Sequence, residues 1–285
     1  MKAALVLEAL AVGNPGGSAI LADLSLEVHP GEVVALLGAN GCGKTTLLRS
    51  IAGLVPTQAG KVWLRGREAP RGAVARTEAG LALAFQNPDD QLFGATVRED
   101  VAMGPLHQGL APAVVQARVD EALQATGLTH LAGRSIEALS FGEKKRACLA
   151  GVLAMHPAVL LLDEPTAGLD PMGERETSGL LRRLAREREV ALLVSTHATD
   201  EVPFFADRVA ILGEGRLLAF GAPADVFRDA ALLARARLRA PAVAELWAHL
   251  APLLPGLGTS PPLTVAEAAS RLLPLLAPSH QEVHP

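Results

Sequence analysis

The segment GANGCGKTT, at residues 38–46, has the residue types and the spacing of a loop that binds phosphate groups. It matches the pattern G-x-x-x-x-G-K-[ST], in which glycines let consecutive backbone amides turn inward around a polyphosphate. Lys44 can reach the β- and γ-phosphates, and the Thr45 hydroxyl can bind Mg²⁺. A plain glycine-rich turn is the alternative, but the segment precedes a helix, whose N-terminus attracts anions. We therefore predict a nucleoside triphosphate site formed by Gly38, Ala39, Asn40, Gly41, Cys42, Gly43, Lys44, Thr45 and Thr46.

Two adjacent carboxylates, Asp163 and Glu164, end the apolar run of VLLLDEP at residues 159–165. Successive side chains of a strand point to opposite faces, so we expect the two carboxylates to take different roles. Asp163 suits the coordination of Mg²⁺, directly or through water, and Glu164 suits the polarisation of a water that attacks the γ-phosphate. A pair that only caps a sheet edge is the alternative. We predict Glu164 as a catalytic residue and Asp163 as a metal ligand.

A histidine and a glutamine follow two further apolar runs. His197 lies in VSTHATDE, and Gln86 follows LALAF. If these runs are parallel strands, both side chains lie at the same sheet edge as the carboxylates. A lone histidine is more often structural, but the strand directs this one toward the γ-phosphate. We predict a catalytic, phosphate-sensing role for His197 and contact of Gln86 with the nucleotide and with Mg²⁺ or its water.

The segment LSFGEKKR, at residues 139–146, combines a helix start with concentrated positive charge. Ser140 and Glu143 fit the S-x-x-E capping box. The three residues that follow Glu143 are basic, although the helix dipole already presents positive charge there. A nearby anion would be favourable, and a solvated basic turn is the alternative for each of the three.

The elements that must position these residues are indicated by short apolar runs, which are typical of strands buried on both faces of a parallel sheet. They are VVALL at 33–37, LALAF at 81–85, VLLLD at 159–163, VALLV at 190–194 and RVAIL at 208–212. Helical patterns lie between them, including residues 173–189. The predicted fold is therefore α/β with a mixed, largely parallel core sheet.

The other regions have different patterns. Residues 1–30 are predicted to form antiparallel β structure with a turn at NPGG. Residues 87–156 carry apolar residues at helical spacing and are predicted to be a helical subdomain. After a predicted hairpin at 213–221, residues 222–285 are expected to form short amphipathic helices. We therefore predict a nucleotide-binding domain at 1–221, followed by a C-terminal helical extension.

The composition indicates a globular chain. Hydrophobic residues make up 49% and charged residues 20% of the 285 residues, and the net charge of −4 argues against extensive nucleic-acid binding. No apolar run approaches the ~18 residues of a membrane span. Cys42 and Cys148 lie in different predicted elements and are expected to be reduced thiols. We expect a cytoplasmic protein.

In their order along the chain, these motifs resemble those of the ATP-binding cassette (ABC) ATPases. The phosphate loop, Gln86, LSFGE, LLLDEP, AGLD at 167–170 and His197 follow one another as in that family, over roughly residues 3–221. The resemblance implies a P-loop NTPase fold and hydrolysis of ATP by a dimer.

The family signature LSGGQ stands here as LSFGE. The resemblance implies that Ser140 and Gly142 contact the γ-phosphate bound by the opposite subunit, and that Asp170 crosses the same interface. The basic residues after Glu143 would then belong to the positive field that closes on the partner's phosphates. A second copy of the chain is the implied partner.

A finer resemblance is to the ATPase subunits of energy-coupling-factor transporters, specifically the cobalt/nickel group. It rests on FQNPDDQLFGATVREDVAMGP, LSFGEKKRACLAGVLAM, DEPTAGLDPMG and the start of the extension. It implies ATP and Mg²⁺ as cofactors, a peripheral place on the cytoplasmic face of the cell membrane, and no nucleic-acid partner. The implied membrane partners are a transmembrane coupling subunit, with a helix received by residues 86–91, and a metal-binding component.

Two positions depart from the family pattern. Phe141 replaces the first glycine of the signature, but Gly142 is intact, so we expect activity to survive and Phe141 to pack toward neighbouring helices. Asn14 occupies the place where the family usually has an aromatic residue that stacks on adenine. Because the chain has no Tyr, we expect modest nucleotide affinity and loose base selectivity.

Alternative functions remain at this stage. The transported species cannot be derived from the sequence of the ATPase, so a vitamin or another solute is an alternative to cobalt or nickel. A cassette ATPase that acts on nucleic acid or ribosomes would usually carry coiled-coil arms or a second cassette. A small-molecule P-loop kinase would require an Arg-rich lid and gives no reason for LSFGE.

Overall fold

The computed structural model describes residues 2–13, 17–254, 257–258 and 260–276. Its strands follow the predicted apolar runs within a residue or two and add pairs that the sequence did not indicate. They are β1 (Leu5–Gly13), β2 (Ala19–Val28), β3 (Val33–Leu37), β4 (Ala59–Leu64), β5 (Arg67–Glu68), β6 (Leu81–Ala84), β7 (Val159–Asp163), β8 (Ala191–Thr196), β9 (Arg208–Gly213) and β10 (Arg216–Gly221).

The helices fall into those that flank the core sheet, those of the predicted helical subdomain and those of the extension. They are α1 (Lys44–Ile51), α2 (Ala73–Glu78), α3 (Val97–His107), α4 (Pro112–Ala125), α5 (Phe141–Ala154), α6 (Pro171–Arg188), α7 (Val202–Phe205), α8 (Pro223–Phe227), α9 (Ala230–Arg235), α10 (Ala242–Leu250) and α11 (Val265–Leu276). No helix of the described residues is long and apolar enough to cross a membrane.

The core sheet has the strand order β10-β9-β3-β8-β7-β6 in the described part of the chain. All its pairs are parallel except β9 with β10, which form the predicted hairpin. Every residue of β3, β7 and β8 is buried, as continuous apolar runs require in a sheet covered on both faces. The predicted mixed, largely parallel sheet is confirmed, and it brings the carboxyl ends of β3, β6, β7 and β8 to one edge.

A second sheet lies at the N-terminal side, with the order β2-β1-β4-β5 and antiparallel pairing throughout. The predicted pairing within residues 1–30 is confirmed by β1 and β2. The predicted NPGG turn includes residues 14–16, which lie outside the described residues. Asn14, where the family usually has an aromatic residue that stacks on adenine, is one of them. The sequence reading did not identify β4 and β5, whose first residues are exposed and carry no apolar run.

The predicted helical subdomain contains α3, α4 and α5, which pack on one another. Helix α4 was predicted from its apolar spacing and α5 from the capping box of Ser140 and Glu143, whereas α3 was not identified. Its capping box of Thr96 and Glu99 marks the start, but Pro105 interrupts the usual pattern near the end. The division into domains stays a prediction.

The extension packs against the core sheet through α8, which contacts β9 and β10. Apolar side chains such as Phe227, Leu233 and Ala244 belong to the same buried cluster as the strands. The amide of Ala242, at the start of α10, donates a hydrogen bond of 2.7 Å to Oδ1 of Asp200. The extension therefore reaches the segment that follows His197.

Candidate nucleotide site

The loop at residues 38–46 joins the buried strand β3 to α1. Gly43, which precedes α1, has φ of +105°, and a Cβ there would lie 2.9 Å from the Ile20 side chain. A larger residue would be strained and would clash, so this position favours glycine. Lys44 is only 6% exposed, and its Nζ donates to the carbonyl oxygen of Gly38 at 2.8 Å. The ammonium therefore lies along the loop that is predicted to hold phosphates.

Glu164 leaves strand β7 in a left-handed conformation, with φ of +46°. The prediction that Asp163 and Glu164 alternate along a continuing strand is therefore wrong, because the strand ends at Asp163. The amide of Glu164 donates to the Ser195 carbonyl at 3.2 Å and to the Ser195 hydroxyl at 3.0 Å. This turn, rather than strand alternation, separates the two carboxylates.

The carboxylate of Glu164 is a meeting point for side chains from separate elements. Gln86 Nε2 donates to Oε2 at 3.0 Å, and His197 Nδ1 lies 3.2 Å from Oε1. Lys44 Nζ lies 3.9 Å from the same Oε1. The structure therefore brings four of the predicted site residues together at the edge formed by β3, β6, β7 and β8.

Asp163 is 5% exposed and has its own partner, because the Ser195 hydroxyl donates to Oδ1 at 2.6 Å. Sequence reasoning missed Ser195; its place two residues before His197, at the end of a strand beside Asp163, was the only signal. The donor set of Thr45, Gln86 and Asp163 is made of oxygens, which suits Mg²⁺. Among the described residues, no group of three or more His, Cys, Asp or Glu side chains could hold a metal ion.

The residues that were predicted to face a partner make hydrogen bonds outside this cluster. Ser140 caps α5: its hydroxyl accepts from the Glu143 amide at 3.3 Å, while Glu143 Oε2 accepts from the Ser140 amide at 2.7 Å. The second bond is the main cause that lowers the pKa of Glu143 below its ordinary value. Asp170 caps α6 by accepting from the Gly173 amide at 2.7 Å. No hydrogen bond or ion pair of the described residues joins Ser140, Gly142 or Asp170 to the phosphate loop.

The basic residues after Glu143 have partners in their own chain. Lys144 pairs with Asp89 at 2.7 Å, and Arg146 Nη1 lies 3.8 Å from a Glu176 carboxylate oxygen. Lys145 is only 9% exposed, and its Nζ donates to the carbonyl oxygen of Glu164 at 2.8 Å. Each of the three basic residues thus has a partner in its own subunit, and their contribution to the positive field that faces a partner's phosphates stays a prediction.

Phe141 lies against the AGLD loop, and the packing of its side chain toward neighbouring helices stays a prediction. The residue is 44% exposed, and a Cβ placed on Gly168 would lie 2.9 Å from its ring. Gly168 belongs to AGLD and has φ of +81°. The aromatic ring thus fills space that a side chain at Gly168 would require.

Both cysteines are free thiols, as predicted. Burial raises the pKa of Cys148, in α5, to about 12. Burial also raises the pKa of Cys42, in the phosphate loop, while the nearby Lys44 acts in the opposite direction. Both thiols are therefore poor nucleophiles at neutral pH.

An open cavity of about 490 Å³ adjoins the phosphate loop. Its lining includes Asn40 and His197 from the nucleotide edge, together with Arg237 and Arg239 from the extension. Sequence reasoning did not place the extension at this site, since nothing in its Ala- and Leu-rich pattern indicates where it docks.

Comparisons with known proteins identify similar chains. A family model described as ABC transporter matches residues 21–167. A putative ABC transporter ATP-binding protein of Geobacter sulfurreducens is 45% identical over 266 residues, which cover 93% of this chain and 95% of the relative. The energy-coupling factor transporter ATP-binding protein EcfA of Methanocaldococcus jannaschii is 42% identical over 234 residues, which cover 81% of this chain and 84% of the relative. The solved structure of cbiO1 from Clostridium perfringens, part of the ABC transporter complex cbiONQ, has a TM-score of 0.75 and 36% identity, covering 86% of this chain and 99% of that chain.

Proposed function

Because the chain belongs to the ABC transporter family, whose ATP-binding subunits are ATPases coupled to transport, we propose that it hydrolyses ATP as a dimer to drive uptake of a transition-metal ion, cobalt or nickel. Relatives of the energy-coupling-factor type support the coarser statement that it is an ATP-binding subunit of such a transporter. The observation that carries the hydrolytic role is the meeting of Lys44, Gln86 and His197 at the carboxylate of Glu164.

In the proposed mechanism each residue at the sheet edge has a separate task. Thr45, Gln86 and Asp163 would hold Mg²⁺, directly or through water. The Ser195 hydroxyl orients Asp163 by donating to one carboxylate oxygen. The bound ion would supply positive charge to the β- and γ-phosphates.

Glu164 orients the attacking water and accepts its proton. Gln86 and His197 keep the carboxylate in place, since each contacts a different oxygen. His197, which is exposed at the end of its strand, also senses the γ-phosphate. Lys44 exchanges the Gly38 carbonyl for phosphate oxygens when the nucleotide binds.

The second half of each site comes from the partner subunit. Ser140 and Gly142 lie at a helix N-terminus, where amides and the helix dipole favour an anion. In their own chain they are not joined to the phosphate loop by any hydrogen bond or ion pair of the described residues. We therefore assign Ser140, Gly142 and Asp170 to the γ-phosphate and the interface of a second copy.

The proposed cargo is supported by the similarity to cbiO1, which is described as part of the complex cbiONQ. The chain would lie on the cytoplasmic face of the membrane and work with a transmembrane coupling subunit and a metal-binding component. Residues 86–91 would receive the coupling helix. A vitamin or another solute is the second candidate, because the relatives named EcfA carry no substrate in their names.

The hydrolytic part of the proposal is tested by Glu164→Gln. This variant should bind ATP, form a stable dimer and turn over about 10²–10⁴-fold more slowly, which is the usual loss when a general base is removed. Size-exclusion chromatography with ATP and a phosphate-release assay measure both effects. Turnover at the wild-type rate would refute the role of Glu164.

The cargo is tested in vesicles that contain the chain with its membrane subunits. We expect ATP-dependent accumulation of radioactive cobalt or nickel, and none with the Glu164→Gln variant in the same vesicles. Accumulation of a vitamin without either metal would replace the first candidate by the second.

A further inference from the structure

We propose that Lys145 is a positioning residue. It couples the position of α5, the helix that begins in the signature LSFGE, to the orientation of the catalytic Glu164 carboxylate in the same chain. Phe141 supports the lysine side chain. The proposal deepens the function above and rests on it, since it assumes that Glu164 acts in hydrolysis. It gives a role to the basic turn and to the departure at Phe141, neither of which the proposed mechanism uses.

The first argument is the position of the ammonium group. Lys145 is buried, and its Nζ donates to the Glu164 carbonyl at 2.8 Å. None of the ion pairs among the described residues includes Lys145. Burying an ammonium against a neutral carbonyl is costly compared with leaving it in water. Burial accordingly lowers the pKa of Lys145, whereas the nearby Cys148, Glu164 and Asp163 act to raise it. Stability alone therefore gives little reason for a lysine here.

The second argument is the strained backbone that the lysine contacts. Glu164 has φ of +46°, a left-handed conformation that is unfavourable for a residue with a side chain. Pro165 follows and further restricts the conformation. The amide of Glu164 is held by Ser195 from β8, and its carbonyl is held by Lys145 from α5. The direction of the catalytic carboxylate thus depends on a helix outside the core sheet.

The third argument is the contact of the same helix turn with the AGLD loop. Phe141 lies four residues before Lys145, and Nζ lies 5.6 Å from the ring centroid, a cation–π distance. The ring also packs on Gly168. One turn of α5 therefore touches the loop between β7 and α6 at two places, Glu164 and Gly168, and carries Ser140 and Gly142 beside this loop.

The consequence is a coupling between the two sites of a dimer. Ser140 and Gly142 contact the ATP of the partner, whereas Lys145 sets Glu164 at the subunit's own ATP. A shift of α5 that follows binding of the partner's ATP changes the backbone that aims Glu164.

The experiment compares Lys145→Met, Lys145→Arg and the control Lys61→Met in the full chain. Lys61 is matched because its Nζ also lies 5.5 Å from an aromatic ring, that of Trp63, but in the N-terminal sheet. We expect Lys145→Met to lower kcat by about tenfold, because the Glu164 carboxylate would be directed less well at the attacking water. The KM for ATP should change less than about twofold, because ground-state binding is retained. Lys145→Arg should recover most of kcat, and Lys61→Met should match the wild type.

The same substitutions are made in the Glu164→Gln background, where ATP affinity and the trapped dimer are measured without turnover. The proposal predicts unchanged affinity and dimerisation. A kcat of Lys145→Met equal to that of Lys61→Met overturns it, as does a parallel loss of affinity or of the dimer, which would indicate a merely structural role. If the single variant Glu164→Gln turns over normally, the proposed function fails instead, so the two failures are distinguishable.

Discussion

The phosphate-loop edge of the core sheet and the signature turn of α5 hold their predicted site residues in different ways. At the sheet edge, side chains from separate elements contact one another through Glu164. Ser140 at the signature turn and Asp170 at the start of α6 form hydrogen bonds, among the described residues, to the first turns of the helices that they cap. The difference supports the proposal that the sheet edge is one half of a site and that the amides and hydroxyl of the signature turn complete a site in a second copy.

The largest expected effect comes from breaking the assembled half alone. Lys44→Ala should weaken ATP binding on the order of 10–100-fold, since it removes a charged hydrogen bond to phosphate. Isothermal titration calorimetry measures the affinity. Melting curves without nucleotide serve as the control for folding. Affinity equal to the wild type would show that the loop does not hold the phosphates through this lysine.

A second prediction uses the one thiol that each region carries. Cys42 lies in the phosphate loop and is half-buried, whereas Cys148 lies in α5, is buried and has a pKa of about 12. At pH 8.5, iodoacetamide should modify Cys42 at least about tenfold faster than Cys148, and MgATP should slow the reaction at Cys42 several-fold. Peptide mass spectrometry gives both rates. If MgATP leaves the Cys42 rate unchanged, the nucleotide does not cover this loop.

The smallest expected effect concerns Glu201, which precedes α7. Its Oε2 is buried and unpartnered among the described residues, and burial, followed by the charge of Glu174, raises its pKa. Because the pKa is raised on folding, this group favours the folded state below its ordinary pKa, and that contribution is lost as pH rises through the raised value.

Glu201→Gln should therefore stabilise the chain at pH 8 and have less effect at pH 5. We expect Tm to rise by about 1–2 °C at pH 8, a small gain because the residue is only half-buried. Differential scanning calorimetry at both pH values measures the difference. If the rise in Tm caused by the substitution were smaller at pH 8 than at pH 5, the predicted sign would be contradicted.

The core of the fold was predictable because strands buried on both faces of a parallel sheet consist of continuous apolar residues. Strands β3, β7 and β8 lie within two residues of the predicted apolar runs. The phosphate loop was predictable because its chemistry requires a fixed spacing. Strand β4 was missed because its first three residues are exposed and form no apolar run. The burial of Lys145 could not be predicted, since its two basic neighbours in sequence look the same but bind surface acids.

The most direct test of the account mixes variants whose defects lie in different regions. Ser140→Asp should keep the helix cap, because Asp is a good N-cap residue, while its charge repels the γ-phosphate. Ser140→Asn, which also caps but is neutral, is the control.

In mixed dimers of Lys44→Ala with Ser140→Asp, one site combines both defects and the other is intact. In mixed dimers of the wild type with the double variant, each site carries one defect.

The measurement is ATPase activity of both mixtures after subunit exchange. If each site is built from two chains, the two inactive single variants should recover up to about a quarter of the wild-type rate, which is the share of intact sites at equal mixing. The wild type mixed with the double variant should lose activity. The reverse pattern, with no recovery in the first mixture and no loss in the second, would contradict the account.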